Sequence, residues 1–410
     1  MKRNTHWELT MQLFTPKQYL KIDIANSFGL DKLSWNERLE WFDTNESNLL
    51  KLLSDAENPA MYYAGVKAWE DVKAGRATGY PISLDATSSG IQILSVLTGD
   101  KSAAQLSNVV DTGHRSDAYQ ALYEAMAAKV GEQAQFARVD LKRSIMTAFY
   151  GSEAVPKEVF GEGRLLAAFF QTLEEATPFV WELNKAFLAM WNPDATKYSW
   201  VMPDNFHVHI KVMDQVQETV QFMGETFVTY RTENVAVAQG RSIGANVTHS
   251  LDGMIVRELL RRCSYDPKQI QDIRLLLQEG PGAFNPGFID ENVLMVNQLW
   301  ELYQQSGYLS ARILEHLNSD TIHLVDQDVI REMLDSMPAK PFSIIPVHDC
   351  FRVHPNYGND LRKQYNLQLA LIAQSNMLQF ILVKLLGRSV TITKQADFTK
   401  DIINANYALS

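Results

Sequence analysis

Two aspartates, far apart in the chain, each stand where an apolar run ends. Asp85 closes "YPISLD" (residues 80–85). Asp349 lies in "PVHDCFRVHP" (346–355), where the run from Phe342 to Val347 delivers His348 and Asp349 to a tight turn and Cys350 to Val353 leads away. Two carboxylates on adjacent strands of one small sheet could hold a pair of Mg²⁺ ions, since hard cations take oxygen ligands. Such a pair can stabilise both the attacking and the leaving oxygen of an in-line phosphoryl displacement. Each acid also has a plainer reading. Asp is common in turns because its side chain bonds nearby backbone, and Asp85 could cap a helix beginning near Ser88 or Ser89.

Between the acids, "RVDLKRSIMTAFYG" (138–151) places Arg138, Lys142, Met146 and Tyr150 four residues apart. At roughly 100° per residue, each step of four drifts only about 40°, so the four form one slanting stripe on a helix. Two cations lead, an apolar and an aromatic side chain follow, and Gly151 stands at the expected helix end. This order suits a nucleoside triphosphate, with phosphates at Arg138 and Lys142 and the base and sugar towards Met146 and Tyr150. The alternative is a helix half in the core, with long cations reaching out to water.

The elements that would position these residues are mostly helical. Residues 1–78 read as helices, "YPISLD" as a short strand, and "SGIQILSVLTG" as the start of another helix. Helical patterns follow at 117–130, 138–150, 164–191 and 245–263. "FHVHIKV" and "TVQFMGETFVTYRT" alternate and carry β-branched residues, so 206–231 reads as a hairpin. Residues 264–340 are mixed, punctuated by "EGPGAFNPG" (279–287). After the strand–turn–strand around Asp349 come a long helix, with 367–387 as a buried amphipathic stretch, and a polar C-terminal tail. Strands scattered through a helical chain predict an α+β protein whose small antiparallel sheet is assembled from distant segments.

Bulk properties narrow the function. With 46% hydrophobic and 10% aromatic residues the chain can build a core, and its net charge of −10 argues against binding nucleic acid by charge alone. Cys263 and Cys350 are far apart and in no metal-ligand spacing, which fits a reduced, cytoplasmic compartment. The opening "MKRNTHWELTMQLF" has no apolar core of a secretory leader, and the 367–387 stretch is broken by Gln, Ser, Asn and Lys, so no membrane partner is expected.

"DATSSGIQ" (85–92), "RVDLKRSIMTAFYG" (138–151) and "VHDC" (347–350) resemble, in order, motifs A, B and C of the single-subunit, phage-type RNA polymerases, relatives of the mitochondrial enzyme. The motif A pattern D-x-x-x-S-G-x-Q is met by Asp85, Ser89, Gly90 and Gln92. Motif B is met at Arg138, Lys142, Arg143, Met146, Tyr150 and Gly151. "NVTHSLDG" (246–253) resembles the segment carrying a histidine that faces the ribose, here His249. "YLKIDIANSFGLDKLSWNERLEWF" resembles the stretch whose lysine, here Lys32, lies near the triphosphate. "ANYALS" resembles the family's aromatic tail that folds back towards the active site.

The resemblance implies a right-hand palm and fingers. Residues 1–100 would form the first part of the palm, 101–249 the fingers with the hairpin 206–231, and 250–410 the second part of the palm with an insertion at about 258–340. Asp85 and Asp349 would be the catalytic aspartates holding two Mg²⁺ ions, with the Ala86 carbonyl a further ligand. Arg138, Lys142 and Lys32 would steady the triphosphate, and Ser89 and Gly90 would also bind substrate. Tyr150 and His249 would sense the ribose, Met146 would line the nucleotide pocket, Gly151 would lie by the template base, and His348 would orient its turn. The partners implied are a DNA template, nascent RNA and ribonucleoside triphosphates.

A family A DNA polymerase fragment is the competing reading, and an inactive DNA-binding or scaffold subunit a third. Those DNA polymerases place a glutamate where this chain has Gly90, which leaves space for a 2′-hydroxyl. They put an aromatic where Met146 stands and an acid where Cys350 stands, so ribonucleotides are favoured. The family's thumb, N-terminal domain and D/T-x-x-G-R motif are not recognisable, and only residues 1–84 precede Asp85. The chain therefore reads as the larger, catalytic subunit of the split two-subunit RNA polymerase of lytic podoviruses; a truncated gene is the alternative. A smaller subunit would supply the thumb, the N-terminal region and the missing arginine, in the cytoplasm of the infected bacterial host. The hairpin 206–231 has few Arg or Lys side chains to reach base edges, so an accessory promoter or single-stranded-DNA factor is expected.

Overall fold

The computed structural model describes residues 10–131, 136–240, 242–280 and 290–410, and most of "EGPGAFNPG" lies outside them. Its strands are β1 (Ile82–Asp85), β2 (Lys197–Val201), β3 (His207–Lys211), β4 (Met213–Phe222), β5 (Glu225–Asn234), β6 (Ile344–Val347) and β7 (Cys350–Val353). They sit in a mostly helical chain, as the α+β expectation requires. β1, β7 and β6 form one antiparallel sheet in that order. Asp85 lies opposite Cys350, and Val347 opposite Cys350 on the other side.

Side chains alternate across a strand, so Ile82, Leu84, Ile344, Phe351 and Val353 share the buried side. They join the main core with Ile91 and Leu94 of the helix Ser89–Thr98, Leu251 and Met254 of Ser242–Cys263, and Leu361 and Tyr365 of Gly358–Gln374. Burying each such side chain contributes roughly 1.5–3 kcal/mol. Gln92, wholly buried on the first of these helices, is satisfied by its neighbours. Its amide donates to Thr87, Ser107 and Ala408, and its carbonyl accepts from the Tyr365 hydroxyl at 2.7 Å.

The N-terminal helices Pro16–Ala25 and Trp35–Asn45 each begin at a capping box, Thr15 with Gln18 and Ser34 with Glu37. The tail expected to be polar is buried instead. Ala405, Ala408 and Leu409 are each 1% exposed or less. The tail runs along the free edge of β1, where the Ser410 amide donates to the Asp85 carbonyl at 2.9 Å and the Thr87 amide to that of Ala408. Tyr407 stacks on Trp35 with centroids 5.3 Å apart. The polar stretch stops short of "ANYALS", whose Ala405, Tyr407, Ala408 and Leu409 enter the core while its backbone pairs with β1.

Three other expectations change. Residues 206–231 are not one hairpin: β3 pairs with β2, and β4 with β5. Asn205, at φ +57°, turns the chain back after Met202, and Met223 and Gly224, both at positive φ, close the second hairpin. The helical stretch 164–191 breaks at Thr177, because Pro178 disfavours helical backbone at the residue before it. The 367–387 stretch divides into Gly358–Gln374 and Met377–Leu386. Ser375 is extended, and the Asn376 amide is drawn to the Ser306 carbonyl at 2.7 Å.

Among the described residues no single helix is long and apolar enough to cross a membrane. The bent pair Pro355–Gln374 and Met377–Leu386, at 61°, meets the length and composition test jointly. The 258–340 stretch has a hydrophobic core of its own, in which Ile273, Leu299, Ile313 and Ile330 meet. It is tied to the main body where Arg312 donates to the Asp204 carbonyl at 3.0 Å and the Gln364 side-chain amide to the Ser336 carbonyl at 2.7 Å.

Candidate active site

A cleft of about 920 Å³ opens beside the end of β1. Its walls are the turn after Asp85, the segment Asn26–Lys32, the face of the helix Arg138–Ala148 and the β6–β7 turn. Asp85 and Asp349 both line it. The register brings them together, for the Ala86 amide donates to the Asp349 carbonyl at 3.1 Å. Asp85 does not cap the following helix; Ser88 is the residue at the cap position, and its side chain makes no capping bond.

Asp85 is open to the cleft yet surrounded by enough protein to lose much of its hydration. That desolvation, with the neighbouring Asp349 charge, pushes its carboxyl up to about 6, while Lys32 opposes the shift and Asp31 adds to it. Two carboxylates that repel each other in a polar cleft make a donor set that a divalent cation would relieve, and hard oxygen ligands suit Mg²⁺. Ala86, whose carbonyl is the third oxygen expected, also lines the cleft. Among the described residues no group of three or more His, Cys, Asp or Glu forms a metal cluster. The remaining positions on such an ion would fall to water and substrate oxygens, which is how Mg²⁺ is commonly held.

The stripe read from the sequence faces this cleft along its whole length: Arg138, Lys142, Met146 and Tyr150 all line it. Helical geometry ends at Ala148, and Tyr150 and Gly151 form a closing turn, with Gly151 at φ +82°. Arg138 is held by Asp117 at 2.5 Å and by Gln120 at 2.8 Å. Lys32, also on the wall, is paired with Asp31. Lys142 lies 5.3 Å from the centre of the Tyr119 ring.

Ser89 and Gly90 line the cleft at the start of their helix. The space over Gly90 is not open, which corrects the sequence expectation. A Cβ there would lie 2.6 Å from the Tyr150 hydroxyl. Absence of a side chain at position 90 is what lets the phenol sit over the helix start. Burial, then the charge of Asp252, raises the Tyr150 hydroxyl to about 12, so it stays a proton donor at neutral pH. His249, His348 and Gly151 stand outside the cleft lining. His249 is exposed, its ring 5.0 Å from that of Tyr150. His348 occupies the first turn position at φ +58°, a place in two-residue hairpins usually given to glycine.

Sequence reasoning missed four neighbours. Asp252 lies one turn beyond His249 on the same helix, and the three-residue spacing could have disclosed it. Burial and the Asp349 charge raise its carboxyl to about 6, against the influence of His348. Asp31, Arg115 and Tyr119 line the cleft itself; Asp31 and Arg115 stand outside the regular helical stretches, and Tyr119 opens one without any sign of which way it faces. Burial would raise Asp31, but the Lys32 ammonium bonded to it, with Arg115 and Arg38, holds it below the usual carboxylate range.

Residues 15–158 match the family model described as DNA-dependent RNA polymerase, a span that includes Asp85 and the Arg138–Ala148 helix and stops short of Asp349. The chain is 21% identical over 380 residues to a probable DNA-directed RNA polymerase of Gelasinospora sp. (strain G114), covering 86% of this chain and 42% of that one. It is 25% identical over 341 residues to the DNA-directed RNA polymerase of Enterobacteria phage K11, covering 58% and 37%. With the mitochondrial DNA-directed RNA polymerase of Schizosaccharomyces pombe it shares 29% over 160 residues, or 32% and 14%. The chain thus spans less than half the length of these relatives.

Proposed function

We propose that this chain is the catalytic part of a phage-type DNA-directed RNA polymerase, joining ribonucleoside triphosphates to an RNA 3′ end on a DNA template. The observation that carries the reading is the convergence of Asp85 and Asp349 on one cleft with the whole Arg138, Lys142, Met146 and Tyr150 stripe. Similarity to polymerases from a phage and from fungi supports it.

Asp85 and Asp349, with the Ala86 carbonyl, would hold two Mg²⁺ ions, which when bound neutralise charge on the attacking and leaving oxygens of nucleotidyl transfer. The protein's own share is positioning and charge. Lys142, Arg138 and Lys32 receive the phosphates, Met146 packs beside the base, and the Tyr150 hydroxyl, supported by His249, donates towards the sugar. Residues 1–100 and 250–410 then serve as palm and 101–249 as fingers.

In this reading the thumb, the N-terminal region and the upstream arginine come from a smaller subunit, as in split podoviral enzymes, acting in the cytoplasm of the infected host. The acidic hairpin β4–β5 favours an accessory factor over direct reading of a promoter. Extension of an RNA primer on single-stranded DNA with Mg²⁺, with ribo- or deoxyribonucleotides and with or without the smaller subunit, tests this. Ribonucleotide extension is the expected result. A preference for deoxyribonucleotides would make the chain a DNA polymerase, and no extension in any combination would leave a DNA-binding subunit.

A further inference from the structure

The cations of the cleft divide into those already committed and those that are not. Lys32 is paired with Asp31, and Arg138 with Asp117. Arg115 also lines the cleft, close enough to the acid of each pair to feel its charge. Its surroundings are acidic, with Asp31, Asp117 and Asp85 supporting its charge against burial. The first two of these acids are spent on Lys32 and Arg138. The one hydrogen bond described for Arg115 runs from Nε to the Ser410 hydroxyl at a long 3.5 Å. Most of its five donors have no partner among the described residues, and because Arg115 lines the cleft they are open to a ligand there. The planar fork matches phosphate oxygens two at a time.

We propose that Arg115 is a phosphate-binding residue of this cleft, taking oxygens of the triphosphate of the incoming nucleotide and of the pyrophosphate that leaves. The assignment of the triphosphate to a nucleotide rests on the polymerase reading above; the phosphate site itself does not. Arg115 lines the same cleft as Lys142 and Lys32 and lies within electrostatic reach of Asp85, so phosphates bound beside Asp85 would come near it. A backbone phosphate of the primer or template offers the same chemistry from another source.

Two measurements separate these possibilities. In the first, calorimetric titration with inorganic tripolyphosphate and Mg²⁺ compares the wild-type chain with Arg115→Ala and Arg115→Lys, each checked for folding by circular dichroism. Loss of one charged hydrogen-bonding group weakens binding by about tenfold or more, and Arg115→Lys should fall between the two. Equal affinity in wild type and Arg115→Ala, or no binding by wild type, overturns the proposal. In the second, primer extension gives KM for the ribonucleotide, inhibition by pyrophosphate, and affinity for primer–template. The expected pattern is a raised KM and weakened pyrophosphate inhibition with unchanged primer–template affinity. A loss confined to primer–template affinity would reassign Arg115 to the nucleic-acid backbone and sink the triphosphate role. Tripolyphosphate binding that depends on Arg115 in a chain that never extends a primer would instead refute the polymerase reading and leave the phosphate site standing.

Discussion

The amide of Ala86 donates to the carbonyl oxygen of Asp349 at 3.1 Å, so the residue after one acid is bonded to the backbone of the other. The two carboxylates are therefore fixed relative to each other by backbone, not by flexible side-chain contacts. Replacing either carboxylate leaves that bond in place.

Asp349→Asn should accordingly abolish primer extension, by on the order of a hundredfold or more, while the circular dichroism spectrum is unchanged. Because the Asp349 charge helps to raise Asp85, the melting temperature of the variant without divalent ions should equal or exceed that of wild type. A clear fall would mean that Asp349 serves the fold.

Tyr150 and Gly90 form a matched pair. Tyr150→Phe removes the hydroxyl and should narrow the preference for ribo- over deoxyribonucleotides by about tenfold, with ribonucleotide extension largely kept. Gly90→Ala places a methyl 2.6 Å from that hydroxyl and should displace the ring, lowering extension with either sugar. Competition assays with mixed nucleotides check both.

A stability prediction concerns Asp23. It is buried, accepts from the Ser83 amide and the Tyr80 hydroxyl, each at 2.7 Å, and burial raises it to about 6 from an ordinary value of 3.8. Between those values the folded state binds the proton and the unfolded state does not, so this group's contribution is complete below about pH 4 and declines as pH rises through about 6. The decline is on the order of 1–3 kcal/mol. Urea unfolding of Asp23→Asn and wild type should show the difference moving in favour of the variant from pH 4 to pH 7.

The docked tail makes a separate test. Tyr407→Ala removes the stack on Trp35 and the hydrogen bond to its amide, at a cost of about 2–4 kcal/mol. Since Ser410 borders the cleft, extension should fall along with the urea midpoint.

Much of this site was legible in the sequence for a physical reason. Helical spacing is a local property, so the Arg138 to Tyr150 stripe could be read from its letters, and two apolar runs ending in acids marked β1 and the β6–β7 turn. What escaped depends on partners remote in sequence. The pairing of β2 with β3 is set by a turn at Asn205; the resemblance already folded the tail back towards the site, but not onto the edge of β1. Arg115 sits in a loop, where no periodicity announces which way a side chain faces. The relation of Gly90 to Tyr150 is visible only once two helix ends meet.

The sheet that holds Asp85 has its own bearing on how the protein is made. β1 takes one neighbour from residues 350–353 and the other from residues 408–410. Pairings between such distant segments form slowly, and neither neighbour exists while the ribosome is still translating the middle of the chain. A nascent chain halted before position 350 would carry Asp85 on an unpaired strand, so the cleft around Asp85 should form only after residues 350–353 and 408–410 have left the exit tunnel.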